Sequence, residues 1–394
     1  MNSKLRVLFI DCNSILANEQ EKCVALAKYP DIELTLLVPE VYKERLRRIQ
    51  LEKREDPNYK IMPAKLWGKV PNRTLFLNQL KTLIQQKPDI IHITSDENFF
   101  LTWQVLLWRN WFSPKSKFIF HSWQNILFDS KNFPQPNRFL YQFDTVLERF
   151  IYRHADAAVA RNHEVVTVLQ QRGFRGPIAE IPWGIDTEKF QPTVAPEIRQ
   201  KYNLKGTVIG FVGRMVPEKG ILDLLEAFLL LNEHGASEEP LTLCLVGDGP
   251  LSSEIRTRIQ HSSLKESICL IPEIPSAEVA KLLGAFDIFV FPSRTTSGWK
   301  EQFGRALVEA MSTQIAVIGS DSGAIPDVIG DAGLIFPEGQ IDILSRKIRT
   351  LVQNPQQRKQ LGIQARKRIQ ENYTWNRFAE KTRNLFWQLM EQSL

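Results

Sequence analysis

No run of 18 or more apolar residues occurs in the 394-residue chain, so no segment has the length and character to span a bilayer as a helix. The leading residues, Met1 to Asp11, read as a strand, not as the charged-then-apolar leader of an exported protein, and the expected location is cytoplasmic. Cysteine is scarce. Cys12, Cys23, Cys244 and Cys269 follow no metal-ligand spacing, and the last two lie in apolar strand-like runs, so all four read as reduced core thiols. Nothing in the composition is disordered, fibrous or repetitive: 43% of residues are hydrophobic and 24% charged.

The length suits two domains of nearly 200 residues. The net charge of +6 is unevenly spread: residues 1–185 hold 26 Lys and Arg against 19 Asp and Glu, whereas residues 186–394 hold 24 against 25. A basic N-terminal half attracts polyanions, whether nucleic acid, an anionic membrane face or a phosphorylated acceptor. Nucleic acid is the least favoured, because the excess is modest and no base-stacking motif is evident.

Short apolar runs alternate with amphipathic stretches in the first half, as βαβ units do. Residues 5–10, 33–39, 89–93, 117–121 and 157–160 read as parallel strands, with helices expected over Leu75 to Gln86 and Val165 to Arg172. The pattern restarts with strands over 207–214, 241–249, 268–272, 288–293, 315–321 and 333–337, and with helices over Asp223 to Asn232 and Ala277 to Phe286. Two doubly wound α/β sheets joined near Asp186 to Pro196 account for this order. The expected domains are residues 1–190 and 191–373. The segment from Tyr373 to Leu394 is helical and too apolar to stand alone in water. It either packs on its own domain or crosses back to the first.

Ligands of open α/β sheets sit beyond the carboxyl ends of strands. The run TVIGFVG ends in Gly213 and is followed by Arg214 and Lys219, two cations spaced by a short loop and suited to two phosphate groups. After IFVFPS, Glu301 precedes a helix that carries Glu309. Eight residues turn a helix by about 80° and raise it by about 12 Å, so these carboxylates serve different parts of a ligand. Backbone amides of Gln302, Phe303 and Gly304 at a helix start suit an anion. Gly247 and Asp248 form a further loop, and Gly323 opens another. Each feature alone is ordinary, but several fall on one edge of one sheet.

In the stretch 41–54, VYKERLRRIQLEKR, Arg45, Arg47, Arg48, Lys53 and Arg54 stand among Val41, Leu46, Ile49 and Leu51. It reads as a basic amphipathic segment suited to an anionic bilayer, or as a solvated basic helix. Trp103, Trp108, Trp111 and Phe112 lie in a helical stretch, and tryptophan favours membrane interfaces.

The order of motifs resembles glycosyltransferase family 4 of the GT-B fold. The match rests on VGRMVPEKG (212–220), LVGDGP (245–250), FPSRTTSGWKEQFGRALVEAM (291–311) and GSDSGAIPDVIGDAGLIFP (319–337), which includes the E-x7-E pair Glu301 and Glu309. It is looser in the first half, through KPDIIHI (87–93), FHSW (120–123) and IPWGIDTEKFQP (181–192). The resemblance implies two Rossmann-like domains facing a central cleft, with the terminal helix, 374–394, crossing back to an N-terminal acceptor-binding domain. It implies a nucleotide-sugar donor in the C-terminal domain, its diphosphate met by Arg214 and Lys219, its sugar by Glu301 and its ribose by Glu309. It also implies transfer with retention to a sugar, lipid-linked or small-molecule acceptor, with no cofactor and no obligatory metal; no D-x-D triplet is present. His121 resembles the histidine that faces the donor sugar. The turn after the first strand, where Asn13 and Ser14 are the acceptor-binding candidates, lacks the glycines of many relatives, and Trp183 stands where relatives often carry Asn. That tryptophan either stacks on a ligand or fills the hinge. A non-catalytic nucleotide- or sugar-binding protein on this fold is the alternative reading.

Overall fold

The computed structural model describes residues 4–392 other than 45–46, 55–56, 69–72, 98, 129–137 and 234–238. The chain forms two compact units. Met1–Gly184 with Trp375–Leu394 make the first, and Ile185–Thr374 the second.

Strands of the first unit are β1 (Leu5–Ile10), β2 (Ile32–Pro39), β3 (Val41–Glu44), β4 (Arg47–Gln50), β5 (Lys60–Ala64), β6 (Leu66–Trp67), β7 (Leu75–Phe76), β8 (Ile90–Ile93), β9 (Lys117–Ser122), β10 (Ala157–Ala160) and β11 (Ile178–Glu180). Among the described residues, seven form one parallel sheet in the order β11-β10-β9-β8-β1-β2-β5. The second unit holds β12 (Thr207–Val212), β13 (Leu241–Val246), β14 (Ile268–Ile271), β15 (Ile288–Phe291), β16 (Ala316–Ser320) and β17 (Leu334–Phe336), parallel in the order β14-β13-β12-β15-β16-β17. Both orders are doubly wound, reversing direction between β1 and β8 in one sheet and between β12 and β15 in the other.

Parallel strands covered on both faces need apolar residues at almost every position, which is why LTLCLV and IFVF are buried throughout. The pleat sends alternate residues to opposite sides. In β1, Val7 and Phe9 enter a core on one face while Leu8 and Ile10 enter a core on the other. The first of these cores also takes Phe378, Leu385, Phe386 and Leu389 from the helix Trp375–Glu391. That helix is therefore part of the first unit. Arg383 reinforces it with three contacts to Asp31, at 2.6 and 3.0 Å to Oδ2 and 3.1 Å to Oδ1, and the Trp387 indole donates to the same carboxylate at 2.9 Å.

Two expected helices are corrected. The stretch from Leu75 to Gln86 opens as strand β7, antiparallel to β6, and turns helical only at Leu80–Gln85. The Gln104 side chain makes it so: its carbonyl accepts the Phe76 N–H at 2.9 Å and its amide donates to the Phe76 carbonyl at 2.8 Å, as a neighbouring strand would. Residues 41–50 pair as the antiparallel strands β3 and β4, with Arg45 and Leu46 outside the described residues. Tyr42, Ile49 and Leu51 pack on the core, and Arg54 bonds Glu21 at 2.5 Å, so the basic segment is no amphipathic helix. The tryptophan-bearing helix does form, as Phe100–Phe112; Trp103, Trp108 and Phe112 lean on the core and Trp111 is 82% exposed. Among the described residues, no helix is long and apolar enough to cross a membrane. All four cysteines are free thiols, Cys23 and Cys244 buried and the other two part-buried.

Candidate functional site

Strands β12 and β15 flank the reversal point of the second sheet, and the loops after them carry most of the candidate residues. Past β12 the chain runs through Gly213 and Arg214 into a short turn, Pro217–Lys219, closed by Gly220 in a left-handed conformation at φ +63°. A Cβ at Gly220 would lie 1.8 Å from the Pro292 carbonyl oxygen, so only glycine lets this loop rest on the end of β15. That contact sets Lys219 beside the residues that follow β15. Its Nζ lies 2.6 Å from Glu301 Oε2, and it stands over the rings of Trp299 and Phe291 at 4.6 and 5.1 Å.

Glu301 is buried and held from several sides. Its Oε1 accepts the Gly304 N–H at 3.0 Å, and the Ser293 hydroxyl lies 3.3 Å from Oε2. Its backbone carbonyl accepts the Ala324 N–H at 3.0 Å. Gly323, at φ +57°, lets the loop after β16 close on that carbonyl; a Cβ there would sit 2.1 Å from the oxygen. Gly304, left-handed at φ 75°, caps the start of the helix Arg305–Ser312, whose amides open beside this carboxylate.

The fold brings into contact two residues that the sequence singled out for separate roles, Lys219 and Glu301. Arg214 is not part of that contact: its side chain is half exposed and lies 3.7 Å from Glu218. Glu309 is buried one helical turn past Arg305, whose Nε lies 3.3 Å away. Phe303 is buried with Gly304, and Gln302 is part-buried. Gly247, at φ +138°, lets the loops after β12 and β13 meet, since a Cβ would lie 2.0 Å from the Gly213 carbonyl oxygen. Asp248 is exposed and takes hydrogen bonds from the Ser252 hydroxyl at 2.5 Å and the Gly249 N–H at 2.7 Å; these hold its carboxyl below the usual range. Sequence reasoning missed Ser293 and Trp299, which carried no signal beyond lying within the same motif.

A second constellation occupies the carboxyl edge of the first sheet. His121, buried on β9, lies 4.8 Å ring to ring from His92 on β8. Burial, followed by His92 and the positive charges of Arg161 and Lys22, pushes the His121 pKa well below the ordinary histidine value. Its Nε2 is buried without a hydrogen-bond partner among the described residues, as are both ring nitrogens of His92. Burial takes His92 down to about 3, against a smaller opposing pull from Asp11.

Ser14 and Asn13 sit on a 3-10 turn after β1. The Ser14 hydroxyl donates to Asp11 at 2.6 Å, and the Asn13 backbone N–H donates to the same carboxylate at 3.0 Å, leaving the Asn13 side chain exposed. Asp11 also takes the Thr94 hydroxyl and the Lys22 ammonium, each at 2.6 Å. Burial works against its charge, but Lys22, Ser14 and Thr94 outweigh that and hold its pKa below the ordinary value. Trp183, expected as ligand stacker or hinge filler, lies against Trp123 with ring centroids 5.0 Å apart and against Arg161. Among the described residues, no group of three or more His, Cys, Asp and Glu side chains is placed to hold a metal ion.

Two doubly wound units, the second with cations and tight glycine turns at its reversal point, define the GT-B class of fold. The model for "Glycosyl transferases group 1" matches residues 194–368, and that for "Glycosyltransferase Family 4" matches residues 23–189. The chain belongs to the GT-B glycosyltransferases of the family 4 type. It is 25% identical over 228 residues to the 2-deoxystreptamine glucosyltransferase of Streptomyces kanamyceticus, covering 56% of this chain and 57% of that one. It is 27% identical over 268 residues to the alpha-maltose-1-phosphate synthase of Mycolicibacterium smegmatis, covering 62% and 66%. The chain thus spans less than two thirds of either relative. In fold it is similar to Anabaena HepE in complex with UDP, with a TM-score of 0.71 over 97% of this chain and 100% of that one, at 16% identity.

Proposed function

We infer that this chain transfers a sugar from a nucleotide diphosphate donor to an acceptor, with retention of anomeric configuration. The observation that carries this reading is the contact of Lys219 with Glu301 at the reversal point of the second sheet, beside a left-handed glycine that opens a helix. A departing nucleotide diphosphate gathers negative charge as the bond to the anomeric carbon breaks. Lys219, Arg214 and the amides at Gln302 to Gly304 supply positive potential for it, so no metal or other cofactor is invoked. Glu301, fixed by Ser293 and the Gly304 N–H, takes hydroxyls of the transferred sugar, and Glu309 takes those of the ribose. The anomeric carbon passes to an acceptor hydroxyl, whose proton leaves with the released diphosphate.

The first unit holds the acceptor in this reading, with the neutral His121 imidazole as a hydrogen-bond partner for a sugar or acceptor hydroxyl. HepE, similar in fold, is described with UDP and with UDP-glucose, which makes uridine nucleotides the first donors to try. Contact of the first unit with an anionic membrane belongs to the same proposal. That unit carries 29 Lys and Arg against 21 Asp and Glu, and Trp111 is exposed on it. Flotation with anionic vesicles that weakens with salt supports the contact, and flotation indifferent to salt speaks against it.

Thermal shift against uridine, guanosine and adenosine diphosphates, followed by release of nucleotide from the matching nucleotide-sugars, tests the transfer itself. A nucleotide at a hundred times its dissociation constant adds about 2.7 kcal/mol to stability. Lys219→Ala and Glu301→Ala are expected to lower nucleotide release on the order of a hundredfold or more while remaining folded. Unchanged release in both variants overturns the assignment.

A further inference from the structure

Between β15 and Glu301 the chain leaves the second sheet for a loop, residues 293–300, that is tied down at its start and open at its tip. The Arg294 N–H donates to the Glu218 carbonyl at 2.8 Å, one residue before Lys219. The Arg294 guanidinium meets both oxygens of Asp223, at 2.6 Å to Oδ1, and the hydroxyls of Thr295 and Ser322 lie 2.9 Å apart. From there to Gly298 the residues are exposed, and a Cβ at Gly298 would meet nothing within 4 Å. The chain then doubles back, the Thr296 N–H donating to the Trp299 carbonyl at 2.8 Å. The one large apolar side chain of this loop is Trp299, and it is part-buried. Its ring centroid lies 4.6 Å from Lys219 Nζ, which also stands 5.1 Å from the ring of Phe291, the last residue of β15.

A lysine ammonium rides on a flexible stem and must be walled in before it can meet a phosphate at a fixed point. A second carboxylate would hold it but would also cancel its charge. An aromatic face attracts the same cation and leaves its net charge for an incoming anion. It also leaves the N–H groups. Of the three that the ammonium carries, Glu301 Oε2 takes one among the described residues. Phe291 is buried within its strand and cannot move, whereas Trp299 reaches the cation only because the loop turns back. An exposed excursion that returns one indole to a cation beside Glu301 is explained by what that indole does to the cation.

We propose that Trp299 is a positioning residue, which holds the Lys219 ammonium by its ring face at the point where the donor diphosphate binds and departs. The proposal deepens the transferase reading and rests on Lys219 facing that diphosphate. The tie between Arg294 and Glu218 keeps the loop and the lysine turn in register, so the ring and the cation are set by one framework.

Calorimetric titration with uridine, guanosine and adenosine diphosphates tests it in the wild type, Trp299→Leu, Trp299→Tyr and Lys219→Met, and in Lys219→Met combined with each Trp299 variant. Trp299→Leu is expected to weaken the tightest of the three nucleotides on the order of tenfold, and Trp299→Tyr, which keeps an aromatic face, by no more than about threefold. In the Lys219→Met background the leucine should change affinity by less than about twofold, because the charge it acts through is gone. With the matching nucleotide-sugar, Trp299→Leu should lower kcat more than it raises KM, since the ammonium matters most as charge gathers on the departing diphosphate. An indole that merely packs the loop costs the same with and without Lys219. That result, or wild-type affinity in Trp299→Leu, overturns the proposal. Should Trp299→Leu fail to fold, as its melting curve would report, the loss in Trp299→Tyr with and without Lys219→Met decides. Failure here is separable from failure of the transferase reading. A wild type that binds none of the three nucleotides refutes the transfer and the role of Trp299 together, whereas nucleotide binding indifferent to Trp299 refutes that role alone.

Discussion

Replacing Lys219 by Met should destabilise the second unit by an amount that the geometry of its ion pair sets. The charges stand 2.6 Å apart, with both side chains largely buried. At an effective dielectric constant of about 20 the gross attraction is about 6 kcal/mol, much of it cancelled by the desolvation of both groups. Removing one partner is worse than removing both, because the Glu301 carboxylate then stays buried without the ammonium that faces its Oε2, held by neutral donors such as the Ser293 hydroxyl and the Gly304 N–H. Such a break typically costs about 3–5 kcal/mol, and the donors that remain on the carboxylate argue for about 3. In a unit of this size, Ile185–Thr374, each kcal/mol lowers the melting temperature by about 2–4 °C, so a fall of roughly 6–12 °C is expected. Scanning calorimetry reads it directly. Glu301→Gln in the Lys219→Met background should recover at least half of the loss, since it removes the stranded charge and keeps the carboxylate's shape. A fall below about 2 °C, or a double variant no more stable than the single, would refute the view of this pair as a mutually dependent buried unit.

Acid should weaken the first unit through its histidines. His92 is held at about 3 and His121 well below its ordinary value, so each is neutral when folded and binds a proton when unfolded. For His92 the stabilising effect is full above pH 6.5 and is lost as pH falls from there towards 3, at about 1.4 kcal/mol per pH unit, and His121 acts in the same direction. The raised pKa values of the buried Asp96, Glu97 and Glu148 pull the other way over the same range. The His92 contribution is therefore read as the difference between wild type and His92→Phe in chemical denaturation from pH 7 to 5, the wild type losing more stability, or gaining less, than the variant as pH falls. Gly323→Ala should cost more than 2 kcal/mol and displace Glu301, because the new Cβ meets the Glu301 carbonyl in a left-handed backbone; calorimetry showing no loss would contradict that. Phe386→Ala should cost about 3–5 kcal/mol by urea denaturation, since the ring is fully buried in the core of the first unit.

What could be read from the chain follows from what was local. Strands buried on both faces are written as nearly continuous apolar strings, and those of the second unit stand where the strings lie. The glycines at 220, 304 and 323 mark backbone turns whose chemistry is written at one position, so the surroundings of Lys219 and Glu301 were legible too. Strand β7 was not, because it pairs only with the two-residue strand β6 and with a glutamine side chain 28 residues away. Residues 41–50 misled for a related reason: the alternation is short, and the run of arginines imitates the polar face of a helix. The seating of Arg161 between Trp123 and Trp183, whose ring centroids lie 3.6 and 3.7 Å from its guanidinium carbon, draws on the ends of three strands, and no spacing in the sequence announces such a meeting. Its one local trace is a cation directly after the apolar run AAVA, where a strand meets the ligand-bearing edge.

The helix Trp375–Glu391 settles an order of events as well as a core. The second unit is one continuous stretch, so every residue it needs has been synthesised once Thr374 is made. The first unit waits longer, for Phe378, Phe386 and Leu389 to seat against strands made more than 300 residues earlier. On the ribosome, then, the earlier-made sheet keeps an apolar face open to water while the later-made unit can already close. Any helper that shields nascent hydrophobic surface should find its longest-lived target there.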